Sequence, residues 1–154
     1  GSRFEISFNT YKPFACGIVI HPCIDGCVQL RARHGLRAED IERVDLKVHP
    51  LVLELTGKTA PQSGLESKFS VYHACAAGLI YGQAGEAEVS DEVVTRADVM
   101  ALRARIGADA DEHADEHADV NRYRYADTNT HLHSDSDRHP DEHTNGHADH
   151  GPDP

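Results

Sequence analysis

Four kinds of side chain in this 154-residue sequence could do chemistry: cysteines, a histidine-rich tail, and a few lysine and tyrosine positions. Cys16, Cys23, Cys27 and Cys75 contain no Cys-x-x-Cys pair, so their spacing does not suggest a structural zinc site. Cys23 and Cys27 are one helical turn apart and read as small core residues. His113-Ala114-Asp115-Glu116-His117 matches the His-x-x-Glu-His pattern of some zinc peptidases. It arises inside a repeated Asp-Glu-His-Ala unit, however, and that segment offers no third ligand or dry cavity. The expectation is no resident metal or cofactor, with only loose divalent-ion binding by the tail histidines. Lys12 reads as a solvated strand-edge cation or as an anchor for an anion. Tyr72 falls on an apolar stripe, as a core tyrosine or a proton donor. His21 precedes Pro22 at a helix start, where it either bonds the turn or faces a ligand.

These side chains must be positioned by the first two thirds of the chain. Residues 108–154 carry ten Asp, three Glu and three Arg, a net charge of −10, and eight of the 12 His. The first 107 residues are near neutral at −1, so no basic nucleic-acid footprint is present. The tail's larger apolar side chains are only Val120, Tyr123, Tyr125 and Leu132. Such a segment buries too little surface to offset the entropy of ordering, and Ala108–Pro154 is expected to be disordered. No apolar stretch approaches the ~20 residues of a membrane span. No secretory signal opens the chain, and a reducing cytoplasmic setting fits the cysteines.

Within residues 3–107 the patterning is mixed. Phe4, Ile6 and Phe8 alternate with polar residues, as do Val44, Leu46 and Val48, each marking a half-buried strand. Pro22 opens a helix whose face is Ile24, Cys27, Val28 and Arg31, closed by His34-Gly35. Pro50–Leu55 reads as a short helical turn ended by Gly57. Ser63-Gly64-Leu65-Glu66 forms a capping box for a helix with the stripe Leu65, Phe69, Tyr72, Ala76, Leu79 and Ile80, stopped by Gly82. Small residues at 74–78 suit close helix packing. Ser90 and Thr95 are expected to cap two further short helices, the second carrying Val99, Leu102 and Ile106. The fold class is α+β, a small layered domain followed by a disordered tail.

Two stretches stand out in order. Lys12-Pro13-Phe14-Ala15-Cys16 runs into His21-Pro22-Cys23-Ile24-Asp25, and Glu66-Ser67-Lys68-Phe69-Ser70-Val71-Tyr72-His73-Ala74-Cys75-Ala76 follows after the Leu36–Val48 link. Over Phe4–Ile106 the sequence resembles the C-terminal domain of the MmgE/PrpD family, which includes 2-methylcitrate dehydratase, cis-aconitate decarboxylase and iminodisuccinate epimerase. The resemblance implies a metal-independent lyase or isomerase of small di- and tricarboxylates, with its site between a helical first domain and this smaller one. It implies that Lys12 matches the family's active-site lysine, Tyr72 its tyrosine, and His21 the histidine that follows the lysine segment. Decarboxylating members carry a histidine five residues after the lysine, where this chain has Gly17, which leaves dehydration or epimerisation ahead.

The partners so implied are a small carboxylic acid, the helical domain absent here, and a second copy of the chain, with no nucleic acid and no membrane. In the family the domain continues with strands that complete its sheet. Nothing after Gly107 reads as those strands, so the sequence predicts a replaced, low-complexity terminus. Two other readings stand beside the enzyme fragment: a binding module whose tail buffers metal, and a non-functional truncation product.

Overall fold

A computed structural model of the chain describes Phe4, Ile6, residues 11–112, Ala114 and the backbone of residues 119–125. Helix α1, His21–His34, has Pro22 in its first turn, where the missing N–H costs nothing. It ends at Gly35, whose φ of 61° lets its N–H return to the Arg31 carbonyl, beside Arg31, Arg33 and His34. Strand β1, Ile41–Val48, follows, and then α2, Pro50–Thr56, capped by the His49 ring accepting from the Leu51 N–H.

The helix expected from Ser63 to Gly82 is two helices. Ser63 caps α3, Gly64–Ser67, through Glu66 N–H, as the capping box predicts, but Glu66 reaches back to Gln62 N–H. After the turn Lys68-Phe69-Ser70, Ser70 caps a new helix, α4, Val71–Tyr81, by accepting from His73 N–H at 3.1 Å. The break rotates the expected stripe: Leu65 and Phe69 are 72% and 49% exposed, while Val71, Cys75 and Leu79 are buried. Gly82 closes α4 at φ 72°.

Ser90 caps α5, Asp91–Val94, as expected. Thr95 does not cap α6, Ala97–Arg103; its hydroxyl donates back to the Asp91 carbonyl at 2.9 Å, and Arg96 holds the cap position. Ile106 belongs to no helix. It opens strand β2, Ile106–Ala110, which pairs parallel to β1 with Val44 opposite Ile106 and Val48 opposite Ala110. Strand β3, Asp119–Tyr125, pairs antiparallel on the other side of β1. The sheet order is β2-β1-β3. A register shift between Ile41 and Arg43 turns both Ile41 and Val44 to the core, out of strict alternation.

The helices cover one side of this sheet, α1 over β3 and α4 over β2, with α6 against α4. The α1–α4 contact is close because Gly78 replaces a side chain: a Cβ there would lie 3.3 Å from both Cys27 Cβ and the Ile24 carbonyl. Ile20, Cys23, Ile24, Cys27, Val44, Leu46, Cys75, Leu79, Val99 and Leu102 form the core around that contact. The opposite sheet face is charged, with Arg43 paired to Asp45 and Lys47 to Asp109. The fold is thus mixed helix and strand, an α+β layer pair.

Two expectations change. Strand β2 passes the boundary drawn at Gly107, and β3 lies within the stretch expected to carry no structure. Val120, Tyr123 and Tyr125 are too widely diluted by Arg and Asn to show β3 by alternation. Apart from Asp111, Glu112 and Ala114, the other tail residues, including His113 and Glu116-His117 of the His-x-x-Glu-His pattern, lie outside the described residues. Of the expected first strand, Phe4 and Ile6 are exposed and belong to no strand, while Phe8 lies outside the described residues. Among the described residues no helix is long and apolar enough to cross a membrane.

Candidate functional site

Lys12 lies in irregular chain ahead of the 3-10 turn Ile18–Ile20, which leads directly into α1. Its Nζ donates to the Cys16 carbonyl at 3.3 Å. The ring of His21, first residue of α1, also engages the Cys16 backbone. Phe14 meets that ring edge-on, with centroids 5.4 Å apart and planes at 79°. The loop 12–17 is therefore folded over the start of α1, and it brings Lys12 and His21 to the same short stretch of chain around Cys16.

The loop is tied to the second motif by the backbone. Gly17 N–H donates to the Lys68 carbonyl at 3.1 Å. A Cβ on Gly17 would lie 3.1 Å from Thr56 Cγ2, so a side chain there would push the loop away from α2. Tyr72 lies four residues after Lys68, across the turn that separates α3 from α4, and is partly buried against the core. Among the described residues its hydroxyl has no hydrogen-bond partner, and no hydrogen bond or ring contact joins it to Lys12 or His21. The structure brings together Lys12 and His21, with Tyr72 on the neighbouring segment.

Electrostatics follow from burial and two lysines. Burial pushes the Cys16 thiol up to about 11, against the opposing charges of Lys12 and Lys68. His21 is held below its ordinary value, first by burial and then by Lys12, with its bond to Cys16 opposing both. A neutral imidazole beside an ammonium avoids like-charge repulsion. Among the described residues the buried Nε2 of His21 has no partner. Lys12 has no carboxylate partner among the described residues, so its charge is available to an anion.

Lys68 is the residue that sequence reasoning missed. It stands inside the second motif, four residues before Tyr72, but a lysine ahead of a helix cap reads as solvated chain. His73, next to Tyr72, is buried; its Nε2–H donates to the Glu88 carbonyl at 2.9 Å. Cys23, Cys27 and Cys75 are fully buried free thiols at the α1–α4 contact, and the neighbouring Cys23 and Cys27, with burial, push the Cys75 thiol well above its ordinary value. Among the described residues no group of three or more His, Cys, Asp or Glu is placed to hold a metal ion.

A search of curated proteins returns no match. A family model, the MmgE/PrpD C-terminal domain, matches residues 14–152. The match continues past Gly107 through β2 and β3, so the expectation that the family's domain gives way there to a replaced terminus is not upheld. With nine tenths of its length inside that match, the chain belongs to the MmgE/PrpD family, as its C-terminal domain.

Proposed function

We propose that this chain forms one wall of a lyase or isomerase pocket for small di- or tricarboxylates, in the manner of 2-methylcitrate dehydratase, and that a helical domain forms the other. The observation that carries the reading is Lys12: an ammonium held by a carbonyl, unpaired by any described acid, on a loop folded over α1. A cation so placed suits a substrate carboxylate and the negative charge that grows beside it.

In dehydration a base removes the proton on the carbon next to a carboxylate, the C–H electron pair becomes the new C=C bond, and hydroxide leaves from the adjacent carbon. Lys12 stabilises the carboxylate as charge spreads into it. His21 fixes the Cys16 carbonyl that grips Lys12 and lines the substrate side of the loop. Tyr72, whose hydroxyl has no internal partner, delivers a proton so that hydroxide departs as water. The base comes from the helical domain. Epimerisation uses the same first step and returns the proton to the other face.

The test is complementation. The chain alone, incubated with 2-methylcitrate or citrate, is expected to show no rise in the ultraviolet absorbance of a conjugated alkene. Mixed with the separately expressed helical domain of an MmgE/PrpD dehydratase, it is expected to support turnover that Lys12→Met abolishes. Turnover by the chain alone, or full activity of Lys12→Met, overturns the reading.

A further inference from the structure

We propose that Lys68 is a second carboxylate-binding residue, so that this wall holds a dicarboxylate at both ends, one on Lys12 and one on Lys68. The inference rests on the reading of Lys12 as a carboxylate anchor and extends it to substrate selection.

The Gly17–Lys68 backbone bond sets the root of Lys68 against the loop that carries Lys12. Both ammonium charges act on the Cys16 thiol. Two cations brought to one residue repel each other, and the protein answers that repulsion weakly. Lys12 has no described acidic partner. Lys68 meets Glu86 at 3.3 Å, but Glu86 is 81% exposed. Such a surface pair contributes little and exchanges readily for another carboxylate. A monocarboxylate satisfies one of these cations. A dicarboxylate satisfies both without displacing a strong internal bond, which makes Lys68 a specificity-determining residue.

The experiment uses the chain with 15N-labelled lysines, titrated at low salt with succinate or propionate while the ammonium resonances are followed by NMR. Succinate is expected to shift both Lys12 and Lys68 and to bind about tenfold more tightly than propionate, a charge-assisted contact partly screened by solvent. Lys68→Gln is expected to reduce succinate binding to the propionate level while Lys12 still shifts, and Lys68→Arg to keep most of the preference. Glu86→Gln is expected to tighten succinate binding and leave propionate unchanged. If Lys68→Gln keeps the succinate preference while Lys12→Gln abolishes binding of both acids, the Lys68 assignment is overturned and the Lys12 reading stands. If succinate shifts neither lysine, or Lys12→Gln binds as the parent does, the Lys12 reading fails and this inference with it.

Discussion

His73 makes the stability of this domain depend on pH in a window that the acidic residues do not share. Its ring is fully buried in α4, its Nε2–H donates to the Glu88 carbonyl, and Nδ1 has no partner. Burial holds its pKa below the ordinary 6.5; the Glu88 carbonyl opposes this, and the Arg103 charge adds to it. In the unfolded chain the ring takes up a proton near pH 6.5 that the folded chain refuses. The stabilisation is therefore complete above that value and declines as pH falls toward the folded pKa. Each histidine in this condition contributes about 1.4 kcal/mol of lost stability per pH unit across the window. His21 acts in the same direction but is less enclosed. Glu39, Glu66 and Asp98, all held below the carboxylate range by hydrogen bonds, lose their contribution only at lower pH. Urea unfolding followed by far-ultraviolet circular dichroism is expected to show lower stability at pH 5.5 than at pH 7.5, with His73 accounting for at most about 1.4 kcal/mol of the drop. His73→Gln is expected to be less stable at both values, with most of the drop removed. Equal stabilities of the parent chain at the two pH values refute the argument, as does an undiminished drop in the variant.

At the α1–α4 contact, Gly78→Ala sets a helix-propensity gain of about 1 kcal/mol against a similar overpacking cost, and thermal unfolding is expected to change little. Gly78→Val adds three carbons where the first alone would lie 3.3 Å from Cys27 Cβ and the Ile24 carbonyl, and is expected to cost about 3 kcal/mol; a Tm equal to the parent's contradicts that packing. Cys16, raised from 9.0 to about 11, presents about a hundredfold less thiolate at pH 8 than an ordinary cysteine. Alkylation by iodoacetamide, read by peptide mass spectrometry, is expected to be slower by that factor and slower still in Lys12→Met; modification at a free-thiol rate refutes the placement.

Elements with a local cause were legible in the sequence. Pro22 and Gly35 bracket α1 because one lacks an N–H that a helix start does not need and the other tolerates positive φ. Val44, Leu46 and Val48 alternate because one face of β1 is covered. The elements that were misread have non-local causes. A capping serine at 63 and a period running to Ile80 specify one helix, yet Ser70 is an equally good cap, and its bridge to Gly57 decides the break. Ile106 continues the α6 period, but β1 offers it a parallel ladder, and Val44 N–H already reaches the Arg105 carbonyl at 3.0 Å. Strand β3 is mostly Asp, Asn, Arg and Tyr with a single Val, and pairing with β1, not composition, makes it a strand. At the site, Lys12 and Tyr72 stood out only through resemblance, and Lys68 did not stand out because the contact that gives it meaning joins residues 51 positions apart.

That contact also explains how irregular chain can hold a cation in place. Loop 12–17 has no ladder of its own, and a lysine there would lose much rotamer freedom on gripping a substrate. Three constraints reduce that loss in advance. The Cys16 carbonyl holds Nζ, His21 and Phe14 hold the loop against α1, and Gly17 ties it to the segment before α4. Because α1 and α4 pack closely at Gly78 and around the buried side chains of Cys23, Cys27 and Cys75, the two lysines inherit the rigidity of the core although neither belongs to it. Loosening the α1–α4 contact should therefore weaken carboxylate binding before it unfolds the domain. A Gly78→Val chain that still folds but binds succinate as tightly as the parent would show that the loop is held by something other than this helix pair.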